Sequence, residues 1–258
     1  MRIVVTVKLV PDLNAPKSID AATKRLVRTG METVLNPYDE YALEAALQLK
    51  ERAGGDTTVT LLSMVPESFK ETLRKALAMG ADDAIVLSDP LLEGSDVSMT
   101  SRALSLALKK TGFDLVVCGS LTDDGATGGV PGAIAEHLGV PGLANARKIE
   151  IENGALHAQR ETDTGYQVVR APLPAVVSVT MAVGEPRYAS LKGIMGAKKK
   201  TIAILSAADI GYADAKPKTE LLSFAPPPAR TKARVVEATD GAEGARVIFD
   251  FLRERKLV

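Results

Sequence analysis

Four short apolar runs recur in the first 140 residues, each followed by a segment with helical spacing. The runs occupy residues 3–7 (Ile-Val-Val-Thr-Val), 57–62, 83–87 and 114–119. A strand that is apolar on both faces must be covered on both, which is the condition of a parallel sheet layered by helices. Asn36 before Pro37, with Asp39 and Glu40 in the first turn, starts a helix. It runs to about Arg52 with Ala42, Ala45, Ala46 and Leu49 on one face, and Gly54-Gly55 ends it. Residues 66–79, 96–110 and 128–138 read as further helices; Gly80 and Gly112 close the first two, and glycines open the third. The order βαβαβαβα predicts an α/β fold, a doubly wound and mostly parallel sheet with helices on both faces. Residues 25–35 have the pattern of a small hairpin over the sheet edge.

The texture changes from about residue 143. Residues 148–151 and 155–161 flank Asn153-Gly154, a pair that favours a type I′ connection, so an added β-hairpin is expected there. Residues 166–170, 175–181 and 201–205 read as strands, and residues 185–200 as irregular or weakly helical. Residues 217–230, with Pro226-Pro227-Pro228, read as an extended arm. Residues 241–256 read as a terminal helix with Ala245, Ile248, Phe249 and Leu252 at helical spacing. The expected organisation is therefore an α/β domain over residues 1–210, then an arm and helix over 211–258 that lie on another surface.

Several function classes are disfavoured. The chain has 32 basic and 32 acidic side chains, no Trp and 4% aromatics, so it has neither the charge nor the stacking residues of a nucleic-acid binder. Its 258 residues bury enough surface to need no disulfide, and the one cysteine, Cys118, fits a reducing compartment as an inert buried thiol. Residues 2–8 form too short an apolar run for a signal or a membrane span. A prokaryotic cytoplasm without direct membrane insertion is the expectation. His137 and His157 have no metal-ligand spacing around them, so no metal site is expected. No GxGxxG follows the first strand, and no phosphate loop, nucleophile elbow or acid/base pair is present, so no catalytic residue is assigned.

Two segments stand out. Residues 119–130 (Gly-Ser-Leu-Thr-Asp-Asp-Gly-Ala-Thr-Gly-Gly-Val) follow the fourth strand and enter a helix, where an α/β sheet binds phosphorylated ligands. They are read either as a nucleotide loop or as a tight turn. Asn36, Ser63 and Met64 fall along the same edge. Residues 185–200 place Leu191, Ile194 and Met195 among four lysines and two glycines. They are read either as a projecting docking loop with a basic rim or as apolar residues tucked under the sheet.

These segments resemble the beta subunit of the electron-transfer flavoproteins, over nearly the whole chain. The resemblance rests on Val7-Lys8-Leu9-Val10-Pro11-Asp12, Asn36-Pro37-Tyr38-Asp39-Glu40, residues 75–82, the glycine loop, Leu173-Pro174-Ala175-Val176-Val177, and Glu185-Pro186-Arg187-Tyr188 through Lys198-Lys199-Lys200. It implies a Rossmann-like adenine-nucleotide domain in an obligate heterodimer with an alpha subunit, which holds most of the FAD, while AMP is buried in the beta subunit. The implied nucleotide contacts are Thr6, Asn36, Pro37, Tyr38, Asp39, Ser63, Met64, Gly119, Asp124, Gly125, Ala126, Thr127, Gly128, Gly129 and Val130. The implied partner-recognition residues are Glu185, Pro186, Arg187, Tyr188, Leu191, Ile194 and Met195, with Leu191 as anchor.

The implied role is a one-electron carrier, not an enzyme, between flavin dehydrogenases such as those of acyl-CoA oxidation and a quinone oxidoreductase. Gly128-Gly129-Val130 stands where many AMP-binding members have Asn-Gln-Thr. The Thr-Ala-Gln-Val-Gly run of electron-bifurcating members, whose beta subunit carries a second FAD, is also absent. Asn-Pro-Tyr-Asp and Val-Pro-Asp resemble the bifurcating branch, and Glu-Pro-Arg-Tyr the simple carriers. AMP and a second, redox-active FAD both remain open, as does a free-standing adenine-nucleotide-binding module.

Overall fold

The computed structural model describes residues 1–12, 14–28, 30–213, 217, 219–224 and 235–258. They fall into two compact units, Met1–Leu221 and Leu222–Val258. Residues 225–234, which include the triple proline of the expected arm, lie outside the described residues.

The first unit is built on one nine-stranded sheet. Its parallel strands are β1 (Arg2–Thr6), β4 (Thr58–Met64), β5 (Asp83–Leu87), β6 (Leu115–Gly119), β10 (Ala175–Val179) and the edge strand β11 (Ile202–Leu205). At the other end β7 (Gly142–Glu152) lies parallel to β10, and β8 (Ala155–Thr162) and β9 (Gly165–Pro172) extend the sheet antiparallel. The strand order is β11-β5-β4-β1-β6-β10-β7-β8-β9. The β7–β8 turn has Asn153 and Gly154 at φ 49° and 72°, the left-handed pair that a type I′ turn requires.

The apolar runs are covered on both sides. Ile3, Val5, Leu115 and Val117 pack with α1 (Pro37–Ala53) and α2 (Leu73–Met79). Val4, Leu62, Val116 and Cys118 pack on the opposite face with α3 (Val97–Thr111) and α4 (Val130–Leu138). The chain winds from β1 outward through β4 and β5, then returns to β6 on the other side of β1. The order therefore reverses between β1 and β6, and their carboxyl ends frame the crevice where such sheets take ligands. Residues beyond 210 belong to this unit as well: Tyr212 is buried in the second core, and Thr219 Oγ1 donates to Asp96 at 3.1 Å.

The expected hairpin over residues 25–35 does not form. The antiparallel pair is β2 (Leu9–Pro11) with β3 (Thr33–Leu35), and Ile19 bridges Leu26. Pairing β2 with β3 buries Leu9, Val10 and Leu35. Residues 185–200 contain one short helix, α5 (Leu191–Ala197).

The second unit holds α6 (Gly241–Glu254). Asp240 accepts from Glu243 N–H at 2.8 Å, and Glu243 accepts from Thr239 N–H at 2.8 Å, a reciprocal cap. Ile248, Phe249 and Phe251 are exposed.

Close approach fixes Gly119 at the end of β6. A Cβ there would stand 2.5 Å from Asp39 Oδ1 and 2.8 Å from the Tyr38 carbonyl carbon. Gly119→Ala should therefore lower stability by about 1–3 kcal/mol through forced backbone separation. A fall in the urea midpoint at unchanged slope checks this.

Candidate nucleotide crevice and docking loop

The crevice between β1 and β6 is organised by the start of α1. Asn36 is fully buried; its Nδ2 donates to the Leu121 carbonyl at 3.0 Å and its Oδ1 accepts from Asp123 N–H at 3.1 Å. It therefore closes the glycine loop rather than facing outward. Asp39, three residues on and also buried, accepts from Lys8 N–H at 2.8 Å. Burial pushes its carboxyl up to about 7, against hydrogen bonds from Lys8 and Asn36 and the Lys8 charge. Pro37 takes the first helical position, and Tyr38 is half-buried.

Thr6 ends β1 and is half-buried. Beside it on β6, burial pushes the Cys118 thiol up to about 12, so it stays protonated and inert. Ser63 and Met64 end β4; Ser63 is fully buried and its hydroxyl has no hydrogen-bond partner among the described residues.

The loop after β6 divides into a closed half and an open half. Asp124 carries two cations: Lys8 Nζ at 2.8 Å and the Arg28 guanidinium. Burial pushes Asp124 up, but the hydrogen bonds and charges of Lys8 and Arg28 outweigh it and hold it at about 2. Lys17 lies 3.6 Å from Asp123. Gly125, Ala126, Thr127, Gly128 and Gly129 are exposed, and α4 begins at Val130 with no side-chain cap. Gly128 sits at φ +60°, which favours glycine. The uncapped helix start leaves backbone N–H groups for an anion, although Pro131 supplies none. Lys8 was legible only as the residue after strand one. Arg28 had no sequence signal, because its partner lies 96 residues away.

Residues 185–200 form a second feature, fixed at both ends. Arg187 is bound by Glu44 and Glu51 of α1. Ser190 caps α5 by accepting from Gly193 N–H at 3.0 Å. A Cβ on Gly193 would collide with the Ala78 carbonyl, so α5 lies directly on α2. Arg74 donates to the Ala197 carbonyl at 2.8 Å, and Lys200 Nζ donates to the Leu77 and Ala81 carbonyls at 2.9 and 2.5 Å, at the negative end of α2. The alternative in which Leu191 and Ile194 tuck under the sheet is overturned. Tyr188 is 97% exposed, Leu191 76% and Met195 65%, and Ile194 is exposed too, because Ala197 supplies the buried contact. Lys192, Lys198, Lys199 and Glu185 are exposed around them, and Pro186 is half-buried.

No helix among the described residues is long and apolar enough to cross a membrane. None of their His, Cys, Asp and Glu side chains cluster in threes that could hold a metal ion.

The fold is thus a doubly wound α/β sheet with an exposed glycine loop and an uncapped helix start at its reversal point. Residues 4–210 match the model of the electron transfer flavoprotein domain, and the chain belongs to the beta-subunit family of these proteins. It is 41% identical to the electron transfer flavoprotein subunit beta of Mycobacterium tuberculosis, over 99% of each chain. It is 39% identical to that of Megasphaera elsdenii, over 96% of this chain and 95% of the other. It is also 37% identical, over all of both chains, to the caffeyl-CoA reductase-Etf complex subunit CarD of Acetobacterium woodii.

The two acids of the crevice give opposite pH signatures. The folded value of Asp39 lies above its ordinary 3.8, so the folded chain holds the proton more tightly and stability falls as pH rises from about 4 to about 7. Asp124, held low, contributes stability that is lost as pH falls from the ordinary carboxylate value through about 2. Between about pH 4 and 7, Asp39→Asn should gain on the wild type at a limiting slope of about 1.4 kcal/mol per pH unit. Urea titrations at several pH values measure that slope, and a flat difference would exclude Asp39 as its source.

Proposed function

We propose that this chain pairs with an electron-transfer flavoprotein alpha subunit in an obligate heterodimer that relays electrons from flavin dehydrogenases to a quinone oxidoreductase. Acyl-CoA dehydrogenases, and so fatty acid oxidation, are the donors meant, and a prokaryotic cytoplasm is the setting. The observation that carries the reading is the rigidly seated apolar tip of residues 188–195. An exposed Leu191 beside Tyr188, Ile194 and Met195, rimmed by Lys192, Lys198 and Lys199, suits a protein partner with an apolar pocket and an acidic border. The exposed Ile248, Phe249 and Phe251 of α6 suit a subunit surface and speak against a free-standing nucleotide-binding module.

In this reading FAD, held mainly by the alpha subunit, supplies the one-electron chemistry. The beta chain holds AMP in the crevice. Its uncapped α4 start and the backbone of Thr127, Gly128 and Gly129 would take the phosphate, and the unpaired Ser63 hydroxyl is a polar group still in want of a partner. The fit rests on backbone donors, since Asn36 and Asp124 are already engaged within the chain. A second reading, a redox-active FAD in the same crevice, is favoured by the open space at Gly132 and by the likeness to a subunit of a reductase-Etf complex.

Acid extraction of the purified heterodimer separates the two readings. One FAD and one AMP per dimer is the expected result, whereas two FAD and no AMP would establish the bifurcating type. Gly129 is at φ −85°, and a would-be Cβ meets Val97 at 3.4 Å and the Thr127 carbonyl oxygen at 4.0 Å, both ordinary contacts, so Gly129→Val is compatible with the fold. It should release the nucleotide by crowding the phosphate position, with a near-native circular dichroism spectrum.

Leu191→Ala tests the docking face. Loss of a central apolar anchor should weaken dehydrogenase binding by about 2 kcal/mol, with melting temperature and flavin content unchanged. Electron-transfer kinetics against dehydrogenase concentration measure it. Unaltered kinetics would refute the docking face.

A further inference from the structure

Arg187 has been grouped with the partner-recognition residues, yet its guanidinium, in a side chain 34% exposed, is turned to the acids of α1. Nε donates to Glu44 Oε2 at 2.7 Å, Nη2 donates to Glu44 Oε1 at 3.0 Å and Glu51 Oε2 at 3.1 Å, and Nη1 donates to Glu51 Oε1. The Arg187 backbone N–H also donates to Glu44 Oε2, at 3.1 Å. All three side-chain nitrogens are thus engaged by two carboxylates on one face of α1, two turns apart. We infer that Arg187 is a positioning residue: it sets the pose of Tyr188, Leu191, Ile194 and Met195 through α1 and does not itself touch the docking partner.

The physical case lies in what else holds the segment. Gly184, at φ +132°, releases the chain from the turn after β10, and residues 185–189 have no regular structure. Among the described hydrogen bonds, those of residues 184–189 all run through Arg187. Beyond them, α5 is seated on α2 through Gly193, Ala197 and Lys200. By hydrogen bonds the apolar tip is fixed at two points, Arg187 being the one on the Tyr188 side, where Ala189 also packs on the core.

The side chain of Glu44 is only 6% exposed and also accepts from Gln48 at 3.0 Å. Burial pushes its carboxyl up, but the bonds from Arg187 and Gln48 outweigh it and keep the group below its usual range. A buried carboxylate of this kind needs a planar, multidentate cation, and a lysine ammonium cannot serve both acids in the same geometry. The partner-facing charge is left to Lys192, Lys198 and Lys199, which are exposed.

This inference rests on the docking reading of residues 188–195, and the test separates the two. The heterodimer is prepared as wild type, Arg187→Lys, Arg187→Met, Glu44→Gln, Arg187→Met/Glu44→Gln and Leu191→Ala. Its reduction by an acyl-CoA dehydrogenase gives KM and kcat, and trypsin cleavage after Lys192 reports the hold on the segment. Arg187→Lys should raise KM about tenfold with kcat nearly unchanged, and should speed cleavage. The double variant should be no worse than Arg187→Met alone, since both changes release the same clamp. Arg187→Lys keeps a cation beside Glu44 and so guards against a variant that merely fails to fold.

Wild-type KM and cleavage in Arg187→Lys, with KM raised in Leu191→Ala, would overturn the positioning role. Multiplying effects of Arg187→Met and Glu44→Gln would overturn it in favour of direct contact with the partner. If Leu191→Ala also leaves KM unchanged, the docking reading falls, and cleavage after Lys192 alone decides whether Arg187 holds the segment.

Discussion

Two buried polar side chains at the start of α1 hold the carboxyl edge of the sheet together. Asn36 ties the glycine loop to the helix through Leu121 and Asp123, and Asp39 ties the exit of β1 through Lys8. Gly119 lets β6 end against the same turn of helix. Each of these groups would be costly to bury alone, and each is paired with backbone that would otherwise be unsatisfied. The crevice between β1 and β6 has its shape because those pairings leave Thr127, Gly128 and Gly129 as the open part of the loop.

Helix α1 serves a second surface with its later turns. Glu44 and Glu51 lie two turns apart and reach the Arg187 clamp, while Ala42, Ala45, Ala46 and Leu49 of the same helix are buried against the sheet. One helix thus faces the core with its alanines, the crevice with its first turn, and the 185–200 segment with its acids. Tyr188 and Leu191 stand exposed on the segment that those acids bind. Apolar side chains that remain largely exposed on a clamped segment stay available to a partner without spending entropy on ordering the loop.

The parts legible in the sequence were those set by local pattern. The apolar runs gave the parallel strands, Asn153-Gly154 gave the β7–β8 turn, and Asn36-Pro37 gave the start of α1. The family likeness located both the glycine loop and residues 185–200, and the family matches bear out the likeness itself. Residues 25–35 misled because β propensity does not name a partner: Thr33–Leu35 found Leu9–Pro11 instead of folding back locally. The exposure of Leu191 and Ile194 was also beyond reach, since an apolar residue beside lysines is equally consistent with a buried and a displayed side chain.

Periodicity, caps and glycine stops by themselves determined the α/β class, the parallel core and the place of the glycine loop after β6. These depend on interactions within a few residues of chain, so the sequence carries them directly. Tertiary structure alone decided which side chains are spent internally. Asp124 meets Lys8 and Arg28 from 116 and 96 residues away, and Arg187 meets Glu44 from 143. A carboxylate or guanidinium reads the same in sequence whether it faces solvent, a ligand or a distant countercharge. Only the packing of α1 between the crevice and residues 185–200 made that choice.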